Sequence, residues 1–405
     1  MADTAEYDVA IIGAGIAGSA LAAALSGNGM HIALVEAMPL SGRALPPEIA
    51  LEHFDSRVSA ITPRSRELLR SLGAWQAIEA YRQFPYRHMT VWDAEGTGQI
   101  EFDCSEVDVD ALGHIVENRA IVSALLDCVK SSADISLYNP ARLAAFSGGD
   151  DAPVELSLEG GESLRASLLV AADGALSRVR EMAGFDTREW DYGHRAIVAT
   201  VQVEQDHRDT AWQRFLPSGP LALLPLPRSD EQNYCSIVWS LQESLVDDLL
   251  ALEDGDFCKE LEKAIEGRLG TILASSPRSA FPLRQRHAVD YVRPGVALVA
   301  DAAHTIHPLA GQGINLGLQD VAVLAEEILA GRERGTSPGE MSLLRRYQRR
   351  RKGENLLMMA AMDGFKRLFE QQALPLRWLR NVGMRGVDQL APVKQQLIRH
   401  AMGIG

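Results

Sequence analysis

Positive charge, cysteine and long apolar runs are all scarce in this 405-residue chain. Its 40 Lys+Arg are outnumbered by 54 Asp+Glu, and a net charge of −14 argues against nucleic acid as a partner. The four cysteines, Cys104, Cys128, Cys235 and Cys258, form no CxxC pair. Neither a zinc site nor a disulfide framework is therefore expected, and a reducing cytoplasm is the default compartment. No apolar run reaches the roughly 20 residues that a membrane span needs. The opening MADTAEYDVAIIGAG has no basic stretch before its apolar run, so no signal peptide is expected. What remains is 46% hydrophobic and 23% charged, the balance of a soluble globular protein, at a length that suits two or three domains.

The scarce positive charge is concentrated at one end. Residues 341–405 hold 13 Lys+Arg against 4 Asp+Glu, a net +9, which leaves −23 on the other 340 residues. Two readings stay open: a segment that meets an anionic membrane surface or an acidic protein, or basic helices packed on their own acidic body. The second is slightly favoured. From Leu343 onward the pattern is helical, with Leu357, Met358, Ala361, Met362, Phe365 and Phe369 on one face at helical spacing.

The stretch YDVAIIGAGIAGSALAAALSGNGMHIALVEA reads as strand, tight turn, helix, strand. Its turn is Gly13-Ala14-Gly15-Ile16-Ala17-Gly18. The first glycine permits the turn, the second admits a pyrophosphate to the backbone, and the third lets helix and strand pack closely. The phosphates then meet the positive end of the helix dipole. Glu36, followed by Ala37, ends the second strand, where a carboxylate accepts hydrogen bonds from ribose and repels a 2′-phosphate. FAD or NAD is expected at this site, not NADP.

Two further apolar strands run into acidic turns. LLVAADGALSRVRE carries Ala172-Asp173-Gly174, and GVALVADAAHTIHPLAGQGINLGLQD carries Ala300-Asp301. With these motifs in this order, the chain resembles the single-component flavin monooxygenases that hydroxylate aromatic rings. Within that family, DAAHTIHPLAGQGINLG looks most like the ubiquinone-biosynthesis hydroxylases. GHIVENRAIV, WDYGHRAIVAT and VKQQLIRHAMG look like their 2-polyprenylphenol 6-hydroxylase branch. One departure is visible: Ala300 stands where the family has glycine.

The resemblance implies an α/β fold. It consists of a Rossmann-like FAD-binding domain, an inserted mixed or antiparallel β-sheet substrate domain and a C-terminal helical segment, the class A flavin monooxygenase type. The expected division is 1–83, 104–187 and 280–345 for FAD, 84–103 and 188–279 for substrate, and 346–405 for the helices. The resemblance also implies that Asp301 bonds the ribityl chain, that Pro308 lies against the reactive edge of the flavin, and that Gly311, Gln312 and Gly313 offer backbone N–H groups to its pyrimidine ring, with Ile314 and Asn315 following. Arg57, with Val58 and Ser59, would meet the pyrophosphate. Asn118 would reach the cofactor, although as a bare residue it reads equally well as a helix N-cap. His304 and Pro308 would shape the flavin edge. His304 and His307 form an HxxH pair, but with no third ligand near in sequence no metal is expected.

The implied activity is transfer of one oxygen atom from O2 to a phenol ring, ortho to its hydroxyl, with NAD(P)H as a transient reductant. The implied substrate is a hydrophobic, polyprenylated phenol. Other implied partners are a ubiquinone-biosynthesis complex and a peripheral contact with the inner face of the membrane. Trp190, Tyr192 and Trp239 are candidate pocket residues, or ordinary sheet-core aromatics. The sequence does not identify the catalytic base. Two rival readings stay open: another FAD oxidoreductase, of polyprenyl reductase or halogenase type, and a flavin-binding scaffold subunit. Oxygen-isotope incorporation and steady-state NAD(P)H oxidation discriminate among them.

Overall fold

The computed structural model describes residues 5–40, 45–149, 152–229, 232–306, 313–370 and 374–404. Two large sheets organise them. The first is eight-stranded among the described residues. Its centre is parallel, in the order Val296–Leu298, Ser163–Ala171, Ala5–Ile12, Ile32–Val35 and Ile135–Tyr138. These strands are near-continuous apolar runs because helices cover the sheet. The Ala- and Leu-rich helix Ile16–Leu25 packs against Gly313–Glu333 and Asn118–Ser131. Val9, Ile11, Leu34, Leu169, Val170 and Leu298 are fully buried in the resulting core.

This topology positions the site. Gly13, Glu36, Asp173 and Asp301 follow the C-terminal ends of four adjacent parallel strands. Ligands of open α/β sheets bind outside those ends.

The second sheet is nine-stranded among the described residues and mostly antiparallel. It runs through Ser279–Ala288, Thr187–Val203, Asn233–Gln242, Gly219–Pro225, Thr210–Leu216 and His88–Asp93. The last two pair in parallel, which makes the sheet mixed. Ser279–Ala288 pairs with Thr187–Val203, so residues 280–288, expected with the nucleotide-binding part, lie in this sheet. Phe84–Tyr86 also departs from expectation: it joins a separate three-stranded sheet with Gly113–Glu117 and Val58–Ile61.

Helices Met341–Glu370, Leu374–Gln389 and Ala391–Met402 close the chain. The first does not bury the face its apolar spacing suggested. Leu357 is 61% exposed, whereas Tyr347, Arg351, Asn355 and Met359 form the buried seam. Polar residues sit inside because a buried carboxylate, described below, draws them in. The side chain of Phe365 lies outside the described residues.

Candidate active site

The three glycines of the first turn do different physical work. Gly13 has φ +103°, and a Cβ there would lie 2.4 Å from the Ala172 carbonyl oxygen. A Cβ on Gly18 would lie 1.8 Å from the Gly13 carbonyl oxygen. On Gly15 a Cβ would meet nothing among the described residues within 4 Å. Two glycines are therefore required by the fold itself, and the third faces a space the protein leaves open. Gly15 is also the N-cap of helix Ile16–Leu25, with no side chain capping it. The first N–H groups of a helix have no partner within it, so those around Ile16 and Ala17 are available to an anion.

Glu36 lies beside this turn. Its Oε2 accepts the Ala14 N–H and its Oε1 the Met38 N–H, both at 2.8 Å, with Ala37 in the bend between. A carboxylate can accept about four hydrogen bonds, so capacity remains for ribose hydroxyls.

The Arg57 turn is held by buried ions. Glu117, 2% exposed, sits 2.9 Å from Arg82 and 2.6 Å from Arg119. It also accepts the Asp55 N–H at 2.7 Å, and Asp55 in turn accepts the N–H groups of Arg57 and Arg119, each at 3.1 Å. This leaves the Arg57 side chain exposed at the start of strand Val58–Ile61. Asn118 is not the cap of its helix; Glu117 occupies that position. Instead the Asn118 N–H donates to the Arg57 carbonyl at 2.9 Å, and its Oδ1 accepts from Ser59 at 2.6 Å. Arg57, Ser59 and Asn118 thus form one unit.

The two acidic turns are also joined. Arg180 donates to the Ala175 and Ala302 carbonyls, both at 2.8 Å. Asp173 accepts the Val179 N–H through Oδ2 at 3.2 Å, while its Oδ1 is buried without a hydrogen-bond partner among the described residues. Gly174, at φ +82°, faces open space. Asp301 is exposed, yet surrounding protein raises its carboxyl pKa, against the pull of His304 and Arg57. An accessible group with that desolvation lies at the floor of a recess. The open cradle at Gly15, the orphaned Asp173 oxygen and the recessed Asp301 fit a dinucleotide with a polyhydroxyl chain.

Ala300 adopts φ +53°. The left-handed region costs an L-residue roughly 1–2 kcal/mol, which explains why glycine suits this position. Gly317, on the facing helix, could not carry a Cβ: it would lie 2.7 Å from the Ala300 methyl.

His304 is 1% exposed, and its Nε2 lies 2.5 Å from Asp320 Oδ2. Burial alone would raise the Asp320 carboxyl, but His304 and Arg351 hold it below the usual range. The ionised Asp320 therefore accepts an Nε2 proton, which leaves His304 Nδ1 buried and unpaired among the described residues. Gly313 starts the following helix, and Ile314 packs partly into the core. The Asn315 side chain accepts from Thr62 N at 3.0 Å and donates to the Ala60 carbonyl at 2.8 Å. It anchors the helix to strand Val58–Ile61 rather than standing free. His307, Pro308, Gly311 and Gln312 lie outside the described residues. No cluster of metal-ligating side chains occurs among the described residues.

A cavity of about 610 Å³ lies between the Met341–Glu370 helix and the edge of the mixed sheet. Trp190, Tyr192, Val289, Leu356 and Met359 line it, as does His287. Met359 also packs against Ile306 and Leu316, which flank the 307–312 segment. Trp239, 5% exposed, belongs to the core of the mixed sheet instead. The sequence reading missed Asp320, Arg351, Asn355, Tyr291 and His287. The available signal was an acid set between apolar neighbours in NLGLQDVAVLA.

Residues 6–360 match the FAD binding domain family. The chain is 39% identical to the 3-demethoxyubiquinol 3-hydroxylase of Escherichia coli, over 98% of both chains. It is 38% identical to the ubiquinone hydroxylase UbiL of Rhodospirillum rubrum, over 98% of this chain and 89% of that one. It is 36% identical to the mitochondrial ubiquinone biosynthesis monooxygenase COQ6 of Xenopus tropicalis, over 98% and 93%. Among solved structures, p-nitrophenol 4-monooxygenase from Pseudomonas putida superposes with a TM-score of 0.76 at 17% identity, over 99% of this chain and 98% of that one, and so shares the fold. With the motifs, the sheet topology and these relatives in agreement, the chain belongs to the ubiquinone-biosynthesis monooxygenases, FAD-dependent hydroxylases of the class A flavin monooxygenase fold.

Proposed function

We propose that this chain hydroxylates a polyprenylated phenol, ortho to the phenolic hydroxyl, as in the 2-polyprenylphenol 6-hydroxylase branch. The observation that carries this reading is the cavity of about 610 Å³, whose wall sets Trp190, Val289, Leu356 and Met359 beside the charged Arg188, Asp191, Lys352, Asp363 and Arg367. Each methylene of a tail buried there contributes about 0.8 kcal/mol, so a few isoprene units would dominate binding. In this reading the eight-stranded sheet holds FAD and the mixed sheet roofs the substrate.

The cofactor roles follow the geometry. Gly15 and the helix behind it would hold the pyrophosphate, and Glu36 with Ala37 the ribose. The Arg57, Val58, Ser59 and Asn118 unit would flank the phosphates. Asp173, Gly174 and Asp301 would hold the ribityl chain. Backbone at Gly313, Ile314 and Asn315 would face the ring, with Pro308, Gly311 and Gln312 completing it. When bound, FAD supplies the oxygen chemistry, with NAD(P)H as reductant, because no side chain can carry it. The protein's share is to orient the ring and exclude water.

The test is anaerobic reduction by NAD(P)H with prenylated and simple phenols, then product analysis after adding isotopically labelled O2. A prenylated phenol should bind, speed reduction and take up one labelled atom. Efficient hydroxylation of simple hydroxybenzoates, with prenylphenols inert, would overturn the substrate reading.

The reading extends to a peripheral contact of residues 346–405 with an anionic membrane. No helix among the described residues is long and apolar enough to cross one. Leu390, Val393, Leu397 and Ile404 are each 42–56% exposed, within a segment rich in positive charge. Basic residues near an anionic leaflet contribute about 1 kcal/mol each. Flotation with anionic vesicles should therefore be salt-sensitive and weakened by Leu390→Glu with Leu397→Glu. Absence of binding at low salt would sink this contact and leave a complex partner as the alternative.

A further inference from the structure

Asp320 is fully buried in the middle of helix Gly313–Glu333, and its two oxygens face different parts of the fold. Oδ2 accepts the backbone N–H of Ala300 at 3.0 Å and the His304 Nε2–H at 2.5 Å. Oδ1 accepts Arg351 Nε at 2.8 Å and Asn355 Nδ2 at 3.1 Å. One carboxylate thus joins the turn that bears Asp301 to the long C-terminal helix. The seam is closed on both sides. Arg351 donates to Asn355 Oδ1 at 2.8 Å, and Asn355 donates to the Tyr291 hydroxyl at 3.4 Å. That hydroxyl lies 3.2 Å from Nε2 of His287, at the cavity wall. Arg351, Asn355, Tyr291, His304 and Asp320 are each 1% exposed or less.

We infer that Asp320 is a positioning residue for the flavin site: by gripping the Ala300 N–H and His304, it sets Asp301 toward the cofactor, and Arg351 and Asn355 hold it in place to do so. The left-handed backbone of Ala300 makes this hold necessary, because an alanine does not keep that conformation by preference. The neighbouring Ala302 carbonyl is fixed independently by Arg180, so the turn is pinned at two points with Asp301 between them. The C-terminal helix is then part of the cofactor site, and its Tyr347 hydroxyl also donates to the Leu298 carbonyl, at the end of the strand before Asp301, at 2.8 Å. This inference rests on the reading that Asp301 touches FAD.

A substitution cycle with FAD affinity as readout tests it, using the full chain stripped of flavin and refilled. Asp301→Ala and Asp320→Asn should each weaken FAD binding by about 10- to 100-fold, the range for one lost charge-assisted hydrogen bond. The double variant should bind no more than about threefold more weakly than Asp301→Ala alone, since residues acting through one another are not additive. Asn355→Ala leaves the Asp320–Arg351 pair in place and serves if Asp320→Asn does not fold; it should weaken FAD binding in the same direction and also lose the effect when Asp301 is absent. The absorption envelope of bound flavin should shift in Asp320→Asn or Asn355→Ala, a change that loss of stability alone does not produce. Full additivity with Asp301→Ala, or wild-type affinity and spectrum in a folded Asp320 or Asn355 variant, overturns the inference. Wild-type affinity in Asp301→Ala removes the cofactor reading of Asp301 and the inference with it.

Discussion

The carboxylate of Glu36 accepts the backbone N–H of Ala14, 22 residues earlier in the chain, at 2.8 Å. The acid that faces the ribose position therefore also stiffens the glycine turn that faces the phosphates. Glu36→Ala should lose both contributions. Removing charge-assisted hydrogen bonds of this kind costs on the order of 1.5–3 kcal/mol, so FAD affinity, followed by quenching of flavin fluorescence, should fall by about 10- to 100-fold. Unchanged affinity would remove Glu36 from the site.

The three turn glycines should separate cleanly in experiment. Gly15→Leu should give a folded protein that retains no flavin, because nothing among the described residues lies within 4 Å of its Cβ position. Gly13→Ala and Gly18→Ala should destabilise the protein even without flavin, because their methyl groups would meet backbone oxygens at 2.4 and 1.8 Å. Overpacking of this sort typically costs about 1–3 kcal/mol or more. Melting curves of the flavin-free proteins, compared with flavin content after purification, decide the matter.

Asp301→Ala should weaken FAD binding while leaving the flavin-free protein as stable as the wild type or slightly more so. The desolvation that raises its carboxyl pKa is a cost to the folded state, and no backbone N–H among the described residues donates to its side chain. A large drop in the melting temperature of the flavin-free variant would show that the carboxylate serves the fold instead.

Acid should destabilise the protein well above the usual carboxylate range. Burial first, then the charges of His304, Lys352 and Arg188, lowers the pKa of His287 to about 4. Burial, with Arg66 and Arg70, brings His114 to about 4 as well. Unfolded histidine titrates near 6.5, so between about pH 6.5 and pH 4 the unfolded chain binds more protons than the folded one. Stability is thus fully present above pH 6.5 and is lost as pH falls toward 4. Each histidine contributes on the order of 3 kcal/mol to this loss. His287→Gln should flatten the fall in melting temperature between pH 7 and pH 5; an unchanged slope would mean His287 is not the group responsible.

The nucleotide-binding half could be read in the sequence because its signals are local. A glycine turn between an apolar strand and an alanine-rich helix is the arrangement that a pyrophosphate at a helix start requires, and Glu36 closes the same unit. The Arg57 unit was legible only through resemblance, since Asp55, Arg82 and Glu117 meet across three separate segments. The seam of Asp320, Arg351 and Asn355 left one trace, the acid within the apolar NLGLQDVAVLA, and nothing pointed to its partners. Charged residues on helices are ordinarily solvated, and Leu357 with Met358 offered a more hydrophobic stripe on the same helix. The burial of two charges against that stripe was decided by partners 31 and 35 residues apart, which periodicity within one helix cannot detect.

The contact between Ala300 and Gly317 has a historical side. There is room for one methyl group between these positions: Ala300 supplies it, and a second at 317 would approach within 2.7 Å. The two residues behave as a single compartment with two doors, only one of which can be open. A lineage carrying Ala300 cannot accept alanine at 317 until 300 has first reverted to glycine, so the order of changes along that path is dictated by steric exclusion. Paired comparison of related chains should find glycine at one position or the other, and a chain with alanine at both would have to move the helix away from the turn.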